Sequence, residues 1–452
     1  MFRDEGGILS KNPIFPSMDL QSILSSVLDE VYEKNEYPAL AALESEWTCT
    51  RPFDGLRVLV ATPIYRNTMT QYRALLAGGA SILVGFSGMN DPEVVDFLKD
   101  WGIPVVTPAE MLEAESRGEF VDLVLDCAGP FAELHPKIGF VELTRSGVQY
   151  YKNAQKPVYV ADSGIVKRIE TSLGTGDGYF RALEKLGFGD AENASGAGFE
   201  GKKLVVFGSG KVGSGIALQG VRRGCAVSVV TDLKRFANLE NATSSAQSEN
   251  AMGSAPSSAG STVGGECAAN SMPAGDFSAV LEQNGVNVVD CHDYAAVSAL
   301  IENADFVVTA TGVKNALAAS ELTSALLSTS AILANMGVED EYGEAIPAEK
   351  VLNAKGPLNF ILEEPTHLKY IDTSLALHAA LAELLVQESK SATLGERATL
   401  DRATENAAIS DAVGLRFPPQ ELEQRLLSIA IQNGVIGPEI CGMLGIAPSD
   451  ME

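Results

Sequence analysis

The sequence predicts an α/β protein: two doubly wound parallel-sheet modules, a substrate domain and an NAD-binding Rossmann domain, with C-terminal helices. Three observations lead there. Short apolar runs rich in β-branched residues alternate with helical spacing from residue 56 to residue 162. The same alternation restarts at Lys203, and a glycine loop, Gly208-Ser-Gly210-Lys-Val-Gly213, follows the first strand of that second series. Continuous apolar strands separated by helices imply a parallel sheet covered on both faces. At about 150 residues per domain, 452 residues leave room for both modules.

The elements follow in order. Residues 18–33 read as an amphipathic helix, and the rest of the first fifty residues carries little pattern. In the first module, strands are predicted at 56–62, 81–86, 104–107, 121–127 and 158–162. Helices are predicted at 68–76, ended by Gly78-Gly79, and at 91–101, started by Asp91-Pro92. Asn193-Ala-Ser-Gly-Ala-Gly198 has linker composition. In the second module, strands at 204–207, 226–231, 286–290, 306–310 and 331–335 surround a helix at 212–223. Residues beyond about 380 read as helices broken at Pro418-Pro419 and Gly437-Pro438. Residues 241–275 are 21 Ser, Ala or Gly out of 35, with no aromatic residue, Lys or Arg, which predicts a disordered insertion. The expected division is residues 1–190 with 351–452 for the substrate domain, and 191–350 for the dinucleotide domain.

Composition mainly excludes. With 59 Asp+Glu against 33 Lys+Arg, the net charge is −26. Such a field repels phosphate backbones and anionic lipid, so neither nucleic acid nor a membrane is an expected partner; a small-molecule substrate is. Six cysteines and four histidines are scattered without short metal-ligand spacings, so no metal centre is predicted. Cys291-His292-Asp293 is the one place where such side chains adjoin. No signal-peptide core and no run of roughly 18 apolar residues is present, so the expected location is the reduced cytoplasm.

The glycine loop carries the cofactor prediction. Strand, loop, helix, second strand and terminal acid occur in sequence, with Asp232 lying 19 residues after Gly213. Gly208 permits the tight turn, Gly210 admits the pyrophosphate, and Gly213 allows helix and strand to pack closely. The helix start, with Lys211 and Val212, presents amide donors and a positive dipole end to phosphate. Asp232 would accept the ribose hydroxyls and repel a 2′-phosphate, so NAD is expected, with Lys234 and Arg235 weakening that preference slightly.

Several short motifs resemble the S-adenosylhomocysteine hydrolase family. They are Asp162-Ser-Gly-Ile-Val-Lys167, Gly174-Thr-Gly-Asp177, Thr309-Ala-Thr-Gly312 and Asn335-Met-Gly337. Upstream, Gly102-Ile-Pro-Val105, Leu125-Asp126-Cys-Ala-Gly129 and Glu142-Leu-Thr-Arg-Ser-Gly147 match in order and spacing. The resemblance implies a tightly held NAD that oxidises a ribose 3′-hydroxyl in a cleft between two domains, and a homo-oligomer. It also implies cofactor contacts from Thr144, Ser146, Thr311, Gly312 and Asn335.

The chain departs from that family at the acid/base positions. Its His-Met-Thr turn falls on Pro63-Ile64-Tyr65, an aspartate aligns with Cys127, a glutamate aligns with Leu143, and a Gly-His becomes Gly337-Val338. The family's Lys-Tyr tail has no counterpart in the terminal Ala447-Pro-Ser-Asp-Met-Glu452. Lys167 is the candidate base, with Glu170 one helical turn away to orient it. Asp126 and Glu142 lie at strand ends where such sheets bind ligands. Asp162 is a substrate contact or a helix N-cap for residues 164–173. His378 and Tyr65 are weaker candidates, His378 reading first as a packed histidine. The leading expectation is hydride chemistry on a secondary alcohol of a nucleoside-type substrate, with the departures counting against hydrolysis of S-adenosylhomocysteine itself. The rivals are a dehydrogenase of another hydroxy compound and a catalytically silent NAD-binding regulator.

Overall fold

The computed structural model describes residues 20–86, 88, 90–189, 197–233, 281–400 and 414–444. The predicted insertion at 241–275, most of the predicted linker, and Lys234 and Arg235 lie outside the described residues. The chain divides into two compact units. The first comprises residues 1–167, 367–441 and 447–452, and the second comprises 168–366 and 442–446. The boundaries therefore fall at 167 and 366 rather than at 190 and 350. The physical reason is packing: the helix Thr175–Lys185 buries Tyr179, Phe180 and Leu183 in the core of the second unit, with Leu204 and Val229.

The first unit holds a seven-stranded, wholly parallel sheet. Its strands are β1 (Arg57–Val60), β2 (Ser81–Gly85), β3 (Val105–Val106), β4 (Leu123–Asp126), β5 (Gly139–Glu142), β6 (Val158–Val160) and β12 (Leu415–Arg416), in the order β12-β6-β5-β4-β1-β2-β3. The order reverses between β1 and β4, where Val58 to Val60 pair with Leu123 to Leu125. Alternate residues supply two cores: Val58, Val60, Leu123 and Leu125 face one side, while Leu59, Val124 and Phe140 face the other. That period of two is the pleat of a strand buried on both faces. Of strand β5 only the end at Glu142 was expected, and the two-residue β12 and the helices Pro38–Thr50 and Pro108–Ser116 were not expected from the sequence. The amphipathic helix is shorter than expected, Leu20–Leu28.

The second unit holds a five-stranded parallel sheet. Its strands are β7 (Lys203–Phe207), β8 (Ala226–Thr231), β9 (Asn287–Asp290), β10 (Phe306–Thr309) and β11 (Ile332–Asn335), in the order β11-β10-β7-β8-β9. Here the reversal falls between β7 and β10. Among the described residues, no helix is long and apolar enough to cross a membrane.

One buried charge ties the first unit together. Asp372, on the long helix Leu368–Leu400, accepts the backbone N–H groups of Ala39 and Leu40, both at 2.9 Å. Those are opening amides of the helix Pro38–Thr50, whose own N-cap residue, Tyr37, makes no side-chain cap. Burial pushes the Asp372 carboxyl up to about 7, against the pull of the two amides. A carboxylate at a helix N-terminus meets both orphan donors and the positive dipole end. Asp372→Ala is expected to lower the unfolding free energy by about 1–3 kcal/mol, the cost of leaving buried donors unsatisfied. Urea titration checks this, with Asp372→Asn recovering part of the loss.

Candidate functional site

The glycine-loop end of the second unit is built by crowding. Gly208 follows β7 with φ +102°, and a Cβ there would stand 2.6 Å from the Ala310 carbonyl oxygen. Only glycine fits both the backbone angle and the close approach of the β10 loop. At Gly213 a Cβ would lie 2.0 Å from the Gly208 carbonyl oxygen, so the helix Lys211–Arg222 starts hard against its own loop. The Val206 side chain of β7 comes next, 3.5 Å away, so the close packing expected at Gly213 is first of helix on loop and then of helix on strand. Gly210 differs from both. Its φ of −68° is ordinary, and a Cβ would meet nothing within 4 Å. Among the described residues, no neighbour demands glycine at 210.

Gly210 is the N-cap of the helix and has no side chain of its own to cap it. The loop is braced from beneath: Ser214 Oγ donates to the Ser209 carbonyl oxygen at 2.8 Å, and Ser209 Oγ lies 2.9 Å from Thr231 Oγ1. Lys211 and Val212 occupy the first helical turn, and half-buried Asp232 follows the last residue of β8. These positions meet the requirements of a dinucleotide: space at 210, helix-start amides and an acid at the end of the neighbouring strand.

The motif residues beyond the loop have a different part. The acid that organises them is Glu341, which no sequence motif marks. Glu341 is fully buried and accepts Thr311 N–H at 2.9 Å, Thr311 O–H at 2.8 Å and Gly312 N–H at 2.7 Å. A Cβ at Gly337 would stand 2.1 Å from Glu341 Oε1, so this glycine makes room for the carboxylate. Asn335 is also fully engaged. The two protons of its Nδ2 are shared among the carbonyls of Gly337, Glu339 and Lys355, at 3.1, 2.8 and 2.6 Å, and its Oδ1 accepts from Thr309 Oγ1 and Gly337 N. Thr311, Gly312 and Asn335, expected as cofactor contacts, are placed as supports of the β10 and β11 loops. The acidic run Glu339-Asp340-Glu341 gives no signal that its last member turns inward.

In the first unit, Asp126 and Glu142 end paired strands and stand opposite each other in the register of β4 and β5. They do not project into open space, as expected of ligand contacts. Asp126 accepts Cys127 N–H at 2.8 Å, Phe131 N–H at 3.0 Å and the Tyr151 hydroxyl at 2.6 Å. Glu142 Oε1 accepts Ala128 N–H at 2.9 Å, Thr144 N–H at 2.7 Å and the Thr144 hydroxyl at 2.6 Å. Both carboxyls hold the loops that follow their strands. Burial raises Asp126 to about 7, with the charge of Glu142 adding to it, and burial raises Glu142 as well. Thr144 directs its hydroxyl proton at Glu142, while exposed Ser146 lies 3.1 Å from the Thr144 hydroxyl.

Lys167 is 3% exposed, so it is no surface lysine. The expected helical turn to Glu170 is not formed: Val166–Arg168 is a single turn, and Ile169–Gly174 is π-helical, which changes the spacing of side chains along the face. The chain also passes from the first unit to the second between them. Asp162 lies within the 3₁₀ turn Ala161–Ser163 rather than at a helix N-cap. His378 is a packed histidine. Its Nε2 lies 3.0 Å from the Val141 carbonyl oxygen and its Nδ1 lies 3.2 Å from Gln71 Nε2, an arrangement satisfied by the neutral ring with the proton on Nε2. Burial lowers it to about 4. Tyr65 is half-buried in a turn that Thr68 holds, its own N–H donating to Thr68 Oγ1 at 3.1 Å.

The glycine loop and the buried acids predict separate behaviours. Gly208→Ala and Gly213→Ala are expected to destabilise the fold, whereas Gly210→Ala keeps the wild-type melting temperature; calorimetry of the three variants separates them. Asp126 binds its proton more tightly in the folded chain than in the unfolded one, so its stabilisation is full below about pH 4 and is lost as pH rises through about 7. Urea unfolding across that window should show wild type losing stability relative to Asp126→Asn as pH rises.

No protein-family model matches the chain, and no curated protein matches it. Solved structures that are similar include a dipicolinate synthase component from Bacillus halodurans, with 14% identity, 74% of this chain and 99% of that one covered, and a TM-score of 0.40. A transhydrogenase from Sinorhizobium meliloti has 14% identity, coverage of 73% and 94%, and a TM-score of 0.38. A D-isomer specific 2-hydroxyacid dehydrogenase family protein from Aeromonas salmonicida has 15% identity, coverage of 67% and 79%, and a TM-score of 0.26. The likeness to S-adenosylhomocysteine hydrolases rests on the short motifs alone.

Proposed function

We propose that the chain binds a nicotinamide dinucleotide along the 208–213 loop and acts as an oxidoreductase on a secondary alcohol of a small, nucleoside-type substrate. The observation that carries the reading is Gly210: a Cβ position with no described neighbour at the N-cap of the helix Lys211–Arg222, beside the strand-order reversal of β7 and β10. Ligands of open parallel sheets bind at such reversals. The bound cofactor would supply reversible hydride acceptance. The chain's own residues do the rest. Loop and helix-start amides hold the pyrophosphate, Asp232 accepts the ribose hydroxyls and selects NAD over NADP, and Lys167 Nζ takes the proton of the substrate hydroxyl.

A second reading, a cofactor-binding regulator without catalysis, draws on the engagement of Asp126, Glu142 and His378 in structural hydrogen bonds. The test is direct. Affinities for NAD and NADP are measured by calorimetry, and NADH absorbance is followed with adenosine, S-adenosylhomocysteine and a panel of secondary alcohols. The proposal expects NAD to bind more tightly than NADP, Gly210→Val to abolish binding without unfolding, and Lys167→Met to bind NAD yet form no NADH. Absence of binding by either dinucleotide overturns it. Binding with no reduction by any alcohol selects the regulator.

A further inference from the structure

The end of β9 gathers three different metal-ligating side chains. Asp290 is its last residue, and a turn follows in which Asp293 N–H donates to the Asp290 carbonyl oxygen at 3.0 Å. The turn brings His292 back over Asp290, so Nδ1 lies 3.0 Å from Asp290 Oδ1 and 3.5 Å from Cys291 Sγ. One donor atom from each of Asp290, Cys291 and His292 lies within 4.8 Å of the others. Asp293, the acid that the sequence places next to this pair, is occupied elsewhere: it caps the helix Tyr294–Asn303 by accepting Ala296 N–H at 3.1 Å.

We propose that Asp290 Oδ1, Cys291 Sγ and His292 Nδ1 form a binding site for a thiophilic divalent cation of the zinc type, with solvent as fourth ligand. Tetrahedral zinc bonds would set the sulfur–nitrogen separation at about 3.6 Å and the oxygen–nitrogen separation at about 3.3 Å. The observed 3.5 and 3.0 Å are close to both, and the third separation, sulfur to carboxylate oxygen, is within 4.8 Å. The mixed set of thiolate, imidazole and carboxylate suits zinc rather than magnesium or calcium, which prefer oxygen alone. Burial first, and then the charges of Asp232 and Asp290, hold the Cys291 thiol above its usual range, and the same negative field favours a cation at the sulfur. On binding, the Cys291 S–H bond breaks, its proton leaves to solvent, and the sulfur lone pair forms the metal bond; no oxidation state changes. The proton that His292 Nδ1 directs at Asp290 Oδ1 also leaves to solvent or passes to Nε2, and His292 binds as the neutral ring through Nδ1. The site stands whether or not the 208–213 loop holds a dinucleotide.

Cobalt titration of the full chain tests it. Co²⁺ is expected to give a thiolate-to-cobalt charge-transfer band with the visible bands of a four-coordinate ion, and one equivalent of Zn²⁺ should bleach both. Cys291→Ser should remove the charge-transfer band, and Cys49→Ser, at an exposed cysteine, should leave it. His292→Ala, at an exposed position, should weaken Co²⁺ binding at least about tenfold, since even a supporting group costs that much. Circular dichroism confirms that each variant is folded. A folded wild type without the band, or a band that survives in Cys291→Ser, overturns the site.

Discussion

The carbonyl of Gly208 stands where a side chain at position 213 would have to be, and the glycine-loop end of the second unit depends on that crowding. It brings the helix start down onto the loop after β7, while Gly208 itself lies against the β10 loop at Ala310. Two glycines, 208 and 213, therefore serve the fold, whereas a Cβ at Gly210 would meet no described neighbour. The distinction matters because the same three-glycine spacing in a sequence does not say which glycine meets protein and which meets open space.

Buried carboxylates are the second recurring device. Asp126 and Glu142 hold the loops after β4 and β5, Glu341 holds the loop after β10, and Asp372 starts a helix. Each accepts backbone N–H groups, fully buried ones at Asp126 and Asp372, and hydrogen bonds to a charged group are stronger than neutral ones. An acidic chain thus commits some of its acids to its own backbone, several of them at the strand ends where ligands of such sheets bind. That placement makes an acid at a strand end an ambiguous sign: it marks a loop to be held as readily as a substrate to be met.

Much of the fold was legible because alternation and length report burial on both faces, as in β1, β7 and β8. Of strand β5 only the end at Glu142 was read, because Gly139-Phe-Val-Glu142 is short and opens on glycine. The helix Pro108–Ser116 has a start that was legible but overlooked, with Thr107 and Glu110 forming a capping box across Thr-Pro-Ala-Glu. At the site, the glycine loop and Asp232 were legible from spacing. Glu341 was not, because nothing local distinguishes it from exposed Glu339 and half-buried Asp340. Nor was the convergence of Asp290 with Cys291 and His292, since it needs a turn whose path sequence adjacency does not reveal.

Residue pattern alone set the class of the fold, the strand–loop–helix unit at 203–222 and the position of the acid after β8. These are local matters, governed by apolar period, glycine spacing and residues near in the chain. Packing across the chain decided which strands pair at each reversal, that Lys167 is buried, and that Asn335, Asp126 and Glu142 support loops. Those outcomes rest on contacts between residues far apart in sequence, where burial and hydrogen-bond partners, rather than residue type, assign each side chain its role.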